Sequence, residues 1–190
     1  MLVDTSTLDA RQMRSRVALH DALERLIEGE GLGAVTVSAL AKEAAVGRPV
    51  FYRLYPDIDA LLADRLSLDL DGQFVVAERI WRDKGASVEA MHEATVYALR
   101  AVSARPKLYA AMLGGRGGTN AVTIFRAQVA RLMTLLPHAS AAVADIPHDL
   151  RVAVIAGAVS GFLVSWLERD CTPPIDEAAP MLETMLLSCW

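Results

Sequence analysis

Apolar residues recur along this chain with the period of helices. Leu19, Ala22, Leu23, Leu26 and Ile27 stand at i, i+3, i+4, i+7 and i+8, one buried stripe of an amphipathic helix. That first helix is expected to begin between Leu8 and Gln12 and to end in the run Gly29-Glu30-Gly31-Leu32-Gly33. Thr36 follows as an N-cap, and Val37, Leu40 and Ala41 form the inner face of a short second helix. Ala44-Ala45-Val46-Gly47 then makes a tight turn, with Val46 as its inward plug. A third helix over Arg48–Tyr55 is opened by Pro49, tolerated in a first turn, and stopped by Pro56. Its residues divide between two faces. Phe51 and Tyr55 are four apart and point inward, while Pro49, Tyr52 and Arg53 share another face. An aromatic inner stripe beneath a basic, hydroxyl-bearing outer stripe suits a helix laid on nucleic acid, so the pair reads as a helix-turn-helix.

Beyond Asp57, a cap for the next element, the pattern predicts longer helices over 57–84, 87–104, 107–113, 120–136, 148–169 and 175–188. Gly114–Gly118 reads as a mobile connection, and no period-two strand pattern competes. The fold class expected is all-α: a helix-turn-helix DNA-binding domain over residues 1–56, with 1–10 as a flexible arm, followed by a larger helical ligand-binding and dimerisation domain over 57–190. The segment Arg151–Glu168 is apolar around most of its circumference and carries Gly157, Ala158, Ser160 and Gly161, which allow close backbone approach. A homodimer in which this helix meets its own copy is therefore expected, and it suits a palindromic DNA site.

Composition agrees with helices. The chain is 53% hydrophobic but only 6% aromatic, so Ala, Leu and Val supply the core. The net charge of −4 looks wrong for a DNA binder until it is divided. Residues 1–55 carry seven bases and seven acids, and the remaining 12 bases and 16 acids account for the whole excess. Within the first part Arg11, Arg14 and Arg16 cluster, and Arg48 and Arg53 flank a stretch free of acids. Local field governs phosphate binding more than the global sum.

Met1–Ala10 contains Asp4 and Asp9 and no apolar run, so no secretory signal is expected. The longest uncharged stretch, Val152–Leu167, has 16 residues against the roughly 20 needed to span a bilayer. Cys171 and Cys189 lack metal-ligand spacing and are too few for a disulfide framework. A reduced, cytoplasmic protein follows, with no membrane partner, no metal and no cofactor.

Enzyme chemistry finds little support. Gly29-x-Gly31-x-x-Ala34 follows a helix where a dinucleotide loop needs a strand, His92-Glu93 lacks the second histidine of a zincin, and Ser160 is not in a nucleophile elbow. The Gly-Arg-Gly-Gly run at 115–118 lacks the Lys and Ser/Thr of a P-loop. No catalytic residue is assigned. An enzyme using that loop for phosphate stays a remote alternative to the DNA-binding reading.

The spacing of Gly31, Thr36, Leu40-Ala41, Ala44, Val46, Phe51-Tyr52, Tyr55 and Leu61-Leu62 resembles the DNA-binding domain of TetR-family transcriptional repressors, in register over about 14–62. Three positions depart from that pattern. Ala45 stands where the family has a turn glycine, at a cost of about 1 kcal/mol if left-handed. Ile58 replaces a lysine that contacts phosphate, and Leu54 a histidine. The DNA-contacting set is Thr36, Lys42, Arg48, Pro49, Val50, Tyr52 and Arg53. Arginine pairs with guanine, Pro49 and Val50 suit a thymine methyl, and Thr36 and Lys42 reach the backbone. Tyr52 matches the family tyrosine that bonds a phosphate, and Arg11, Arg14 and Arg16 are expected to grip DNA from the arm.

The resemblance further implies a homodimer joined through the last two helices, about 148–169 and 175–188, and an effector pocket among the middle helices. Trp81, Met91, Tyr97, Tyr109, Met112, Phe125 and Met133 are the lining expected. Few charges fall among them, so the ligand expected is a small, largely apolar molecule that releases the protein from its operator. The alternative is a helix-turn-helix protein with no small-molecule effector.

Overall fold

The computed structural model describes residues 10–85, 87–114, 118–133 and 145–188. Among these it is all-α, without a strand. The helices are α1 (Ala10–Glu30), α2 (Val37–Glu43), α3 (Arg48–Leu54), α4 (Ile58–Lys84), α5 (Val88–Ser103), α6 (Pro106–Leu113), α7 (Gly118–Met133), α8 (His148–Leu167) and α9 (Ile175–Ser188), with a 3-10 turn at Leu32–Ala34.

Local chemistry sets most boundaries. Gly31 ends α1 at φ 83°, a left-handed conformation open to glycine, and its N–H donates to the Ile27 carbonyl. The hydroxyl of Thr36 accepts from the Ala39 N–H at 3.1 Å, Asp57 accepts from the Ala60 N–H at 2.7 Å, and Ser87 accepts from the Ala90 N–H at 3.1 Å. Ala45 is left-handed at φ 52°, so the atypical turn residue does carry backbone strain. The turn is closed by the Val46 N–H donating to the Ala41 carbonyl at 2.9 Å. Gly115–Arg116–Gly117 of the expected connection lies outside the described residues, and Gly118 already belongs to α7.

One hydrophobic cluster runs from Leu19 on α1 through Phe51 and Leu61 to Leu163 on α8 and Ala178 on α9. α7 packs on α4 and α8, α9 on α5, and α6 bridges α1 and α8. The α6 N-terminus is held on α1: the Leu108 N–H donates to Glu28 Oε1 at 3.1 Å, and Lys107 Nζ donates to the Glu28 carbonyl at 2.7 Å. α8 has 20 residues, long and apolar enough by composition to cross a membrane. It packs against α6, α7 and α9, the setting of a core helix.

Candidate nucleic-acid interface and ligand cavity

α3 presents the two faces its sequence predicts. Phe51 and Leu54 are buried, as is Tyr55 just beyond, while Arg48, Pro49, Tyr52 and Arg53 are exposed. The Tyr52 ring meets Phe51 edge-on at 5.5 Å, which braces it while half its surface stays open. Val50 is half-buried and packs against the core, so only part of its side chain is open to a partner. Lys42 is exposed in the last turn of α2. The Thr36 hydroxyl is exposed, but its cap bond occupies an acceptor position.

Arg16 is not available to DNA as the arm reading expected. It lies inside α1 and forms a two-pronged pair with Asp64 of α4, with Nε at 2.7 Å and Nη2 at 2.6 Å. The Tyr55 hydroxyl donates to the same carboxylate at 2.5 Å, and His20 Nε2 lies 3.0 Å from it and 3.2 Å from the Tyr55 oxygen. Burial alone would raise the Asp64 carboxyl. The bonds from His20, Arg16 and Tyr55 outweigh it and hold that group well below the usual carboxylate range. Burial, then the bond to Asp64, pushes the Tyr55 phenol far above its usual value. This cluster fastens the end of α3 to α1 and α4. Arg11 and Arg14 also lie on α1, with exposed side chains.

A second polar network lies one turn further along α4. Arg65 pairs with Asp69 on its own helix and with Glu24 of α1 at 3.3 Å. Arg105, just before α6, reaches Asp69 at 3.1 Å and Glu24 at 3.6 Å, and its guanidinium lies 5.6 Å from the Tyr109 ring centre. The Asp69–Arg105 contact is an ion pair without hydrogen-bond alignment. Gln73 donates to the Tyr109 hydroxyl at 2.9 Å. Burial, followed by the nearby Asp69 charge, pushes the Tyr109 phenol up to about 12.

Tyr109 and Gln73 are also wall residues of a cavity of about 330 Å³ between α4, α5, α7, α8 and α9. Five expected lining residues, Trp81, Met91, Tyr97, Tyr109 and Phe125, line it. Met112 is buried in the core but is not part of the wall, and the Met133 side chain lies outside the described residues. Aliphatic residues such as Leu70, Val102, Ile155, Leu163 and Leu182 supply much of the remaining wall and were not anticipated. No carboxylate, lysine, arginine or histidine lines it among the described residues. A partly open pocket of this size with an almost wholly apolar wall is the form of a small-molecule site.

The family model described as "Bacterial regulatory proteins, tetR family" matches residues 19–64, the span from the α1 core through the Asp64 cluster. No curated protein matches the chain. Solved structures share its fold. FadR of Thermus thermophilus, a TetR-family transcriptional repressor in complex with lauroyl-CoA, superposes with a TM-score of 0.68 at 19% identity, covering 90% of this chain and 93% of that one. FadR of Bacillus halodurans, a fatty acid degradation regulator, gives 0.66 at 18% identity, covering 91% and 94%. A TetR transcriptional regulator from a Rhodococcus species gives 0.63 at 20% identity, covering 93% and 98%. The N-terminal helix-turn-helix thus matches the tetR family model over residues 19–64, and the chain as a whole shares the fold of these TetR-family structures.

Proposed function

We propose that this protein is a repressor that binds a palindromic operator as a homodimer and is released by a small, largely apolar ligand. The observation that carries the reading is Tyr109. It stands in the cavity wall and belongs to the network that reaches Glu24 on α1, within the DNA-reading head. A ligand that fits the cavity in only one arrangement of α4 and α6 would therefore bias the placement of the head. The lauroyl-CoA bound by the Thermus thermophilus neighbour is in keeping with an apolar occupant. The cavity also speaks against an effector-free regulator, for which a filled core would be expected.

The dimer surface is assigned to α8 and α9. Leu150, Val154, Gly157 and Gly161 form one exposed, largely apolar stripe on α8, and Met181 and Met185 are about half exposed on α9. Two copies of such a pair make a four-helix contact with two-fold symmetry, matching a palindrome. The reading head is assigned to Thr36, Lys42, Arg48, Pro49, Val50, Tyr52 and Arg53, acting on double-stranded DNA in the cytoplasm. The testing ground is the DNA flanking the protein's own coding region, titrated by fluorescence anisotropy at several salt concentrations. Arg48→Ala should weaken binding and, if it meets phosphate, reduce the salt slope by about 1. Tyr52→Phe should weaken it by about fivefold, the loss of one hydrogen bond. Full affinity in both variants would remove the assignment of α3 as the reading helix.

A further inference from the structure

We infer that the cavity takes an uncharged, hydroxyl-bearing aromatic molecule of two or three fused rings. The inference rests on the effector reading above and names the chemical class of that effector.

Ring contacts distinguish the two parts of the molecule. At α3 the Phe51 ring meets those of Tyr52 and Tyr55, with centres 5.5 and 6.0 Å apart. Among the described residues the cavity wall holds five rings, Phe74, Trp81, Tyr97, Tyr109 and Phe125, brought by α4, α5, α6 and α7. No two of these five are in ring contact with each other. Two have a guanidinium over them instead. Arg131 lies 3.8 Å from the Phe74 ring centre and Arg105 5.6 Å from that of Tyr109. Trp81, Tyr97 and Phe125 have neither kind of partner among the described residues. In a filled core, rings from packed helices meet one another. Here three helices each bring a ring to the same cavity, and the three stay apart. A flat ring system between them can meet each edge-on or offset, the arrangements that aromatic pairs prefer. A saturated molecule offers no such pairing.

The polar groups of the wall are all neutral, and most are engaged within the protein. Ser87 caps α5, and Gln128 donates to Asp71 at 2.9 Å and accepts from Arg131 at 3.0 Å. Gln73 uses an N–H on Tyr109, which leaves its side-chain carbonyl as an acceptor. The Thr95 hydroxyl and the Trp81 indole N–H have no hydrogen-bond partner among the described residues. None of these three polar atoms is fully enclosed, so an occupant can meet them. A hydroxyl both donates and accepts, and so answers the Gln73 carbonyl as well as the Trp81 N–H. A carboxylate or phosphate would lose hydration with no cation on the wall to replace it. Size completes the description. One benzene ring occupies a cavity of about 150 Å³, so about 330 Å³ holds two or three fused rings.

The test titrates the purified full-length protein by calorimetry at pH 7 with four compounds of one skeleton: 2-naphthol, its saturated counterpart decahydro-2-naphthol, naphthalene and 2-naphthoate. Lauroyl-CoA is the comparison with the neighbour's ligand, and operator affinity is measured in parallel. 2-Naphthol should bind about tenfold more tightly than decahydro-2-naphthol, a few-fold for each ring it meets. It should bind about fivefold more tightly than naphthalene, for the hydrogen bond, and about a hundredfold more tightly than 2-naphthoate. Trp81→Leu and Phe125→Leu should each weaken 2-naphthol about fivefold and leave decahydro-2-naphthol within about twofold. Thr95→Val, of nearly the same shape, should weaken 2-naphthol and spare naphthalene. The ligand series on the unaltered protein decides the matter should a variant fail to fold. Failure of 2-naphthol to bind, equal or tighter binding of the saturated compound, or tighter binding of naphthalene, 2-naphthoate or lauroyl-CoA would each overturn the inference. Ring binding that leaves operator affinity unchanged keeps the aromatic site and removes the effector reading. Operator release by another ligand, with no 2-naphthol bound, does the reverse.

Discussion

Replacing Asp64 by asparagine keeps the side-chain shape and removes the charge on which Arg16, Tyr55 and His20 converge. The amide retains one acceptor oxygen where the carboxylate had two, and its NH₂ faces guanidinium donors. Breaking a buried ion pair from one side costs roughly 3–5 kcal/mol. Here the Asp64 and Arg16 side chains keep 18% and 15% of their exposure, so Arg16 regains part of its hydration by swinging outward. A loss of about 2–3 kcal/mol is the expected balance. Urea unfolding followed by circular dichroism reads it as a lower midpoint at unchanged slope. Tyr55→Phe alone should cost about 1–1.5 kcal/mol, and less in the Asp64→Asn background, because there the phenol must share a single uncharged acceptor oxygen with Arg16 and His20. A loss under about 0.5 kcal/mol for Asp64→Asn, or additive losses in the cycle, would refute the claim that this cluster fastens α3.

The same cluster sets a pH signature. The folded Asp64 carboxyl titrates below its unfolded value, so the unfolded chain binds more protons and acid favours unfolding. Its contribution is complete at neutral pH and is lost as pH falls below about 4, the unfolded carboxylate value. The stability gap between wild type and Asp64→Asn should therefore close in acid. Tyr55 acts at the other end. Its folded phenol holds its proton more tightly than the unfolded one, so its contribution is complete below about pH 10 and falls above it.

Three further outcomes are expected. Ala45→Gly relieves the left-handed strain at φ 52° and should stabilise the protein by about 0.5–1 kcal/mol in thermal unfolding, after the extra entropy of glycine in the unfolded chain is set against it. Val154→Glu, at a residue 59% exposed on α8, should turn the dimer into a monomer in analytical ultracentrifugation and abolish operator binding while leaving helicity intact. Arg105→Gln removes a cation that joins Glu24 to Asp69. It should leave the affinity of the free protein for its operator within about threefold and cut the effect of a bound ligand on that affinity by about fivefold or more, on the scale of ordinary coupling energies.

Much of the helix-turn-helix was legible because its signals are local. Thr36 and Asp57 cap their helices within three residues, Gly31 stops α1 on itself, and the two faces of α3 follow from a spacing of four. The α9 start at Ile175 coincides with the pattern. The Asp64 cluster was invisible because its partners lie 9, 44 and 48 residues away. Periodicity records which face turns inward and not which polar tips meet there. Arg16 consequently read as a DNA contact when its charge was already taken. The cavity was half legible for another reason. Large residues such as Trp81 and Tyr97 announce volume, but a cavity also depends on where small residues leave atoms out, and Ala77, Ala94 and Ala98 on its wall look like ordinary helix formers.

α4 is where the two sites meet. Asp64, Arg65, Asp69, Leu70 and Gln73 fall within ten residues of one helix, about 14 Å from the Asp64 cluster to the cavity wall. Inside that span four polar side chains tie the helix to its neighbours: Asp64 holds Tyr55 and α1, Arg65 and Asp69 hold α1 and Arg105, and Gln73 holds Tyr109. On the proposed reading, a ligand that displaced the Leu70–Gln73 segment would be felt at Asp64, less than three turns away on the same helix. The N-terminal helices and the cavity wall are thus joined through three turns of α4, with the Glu28 contacts to Lys107 and Leu108 as a separate tie between α1 and α6.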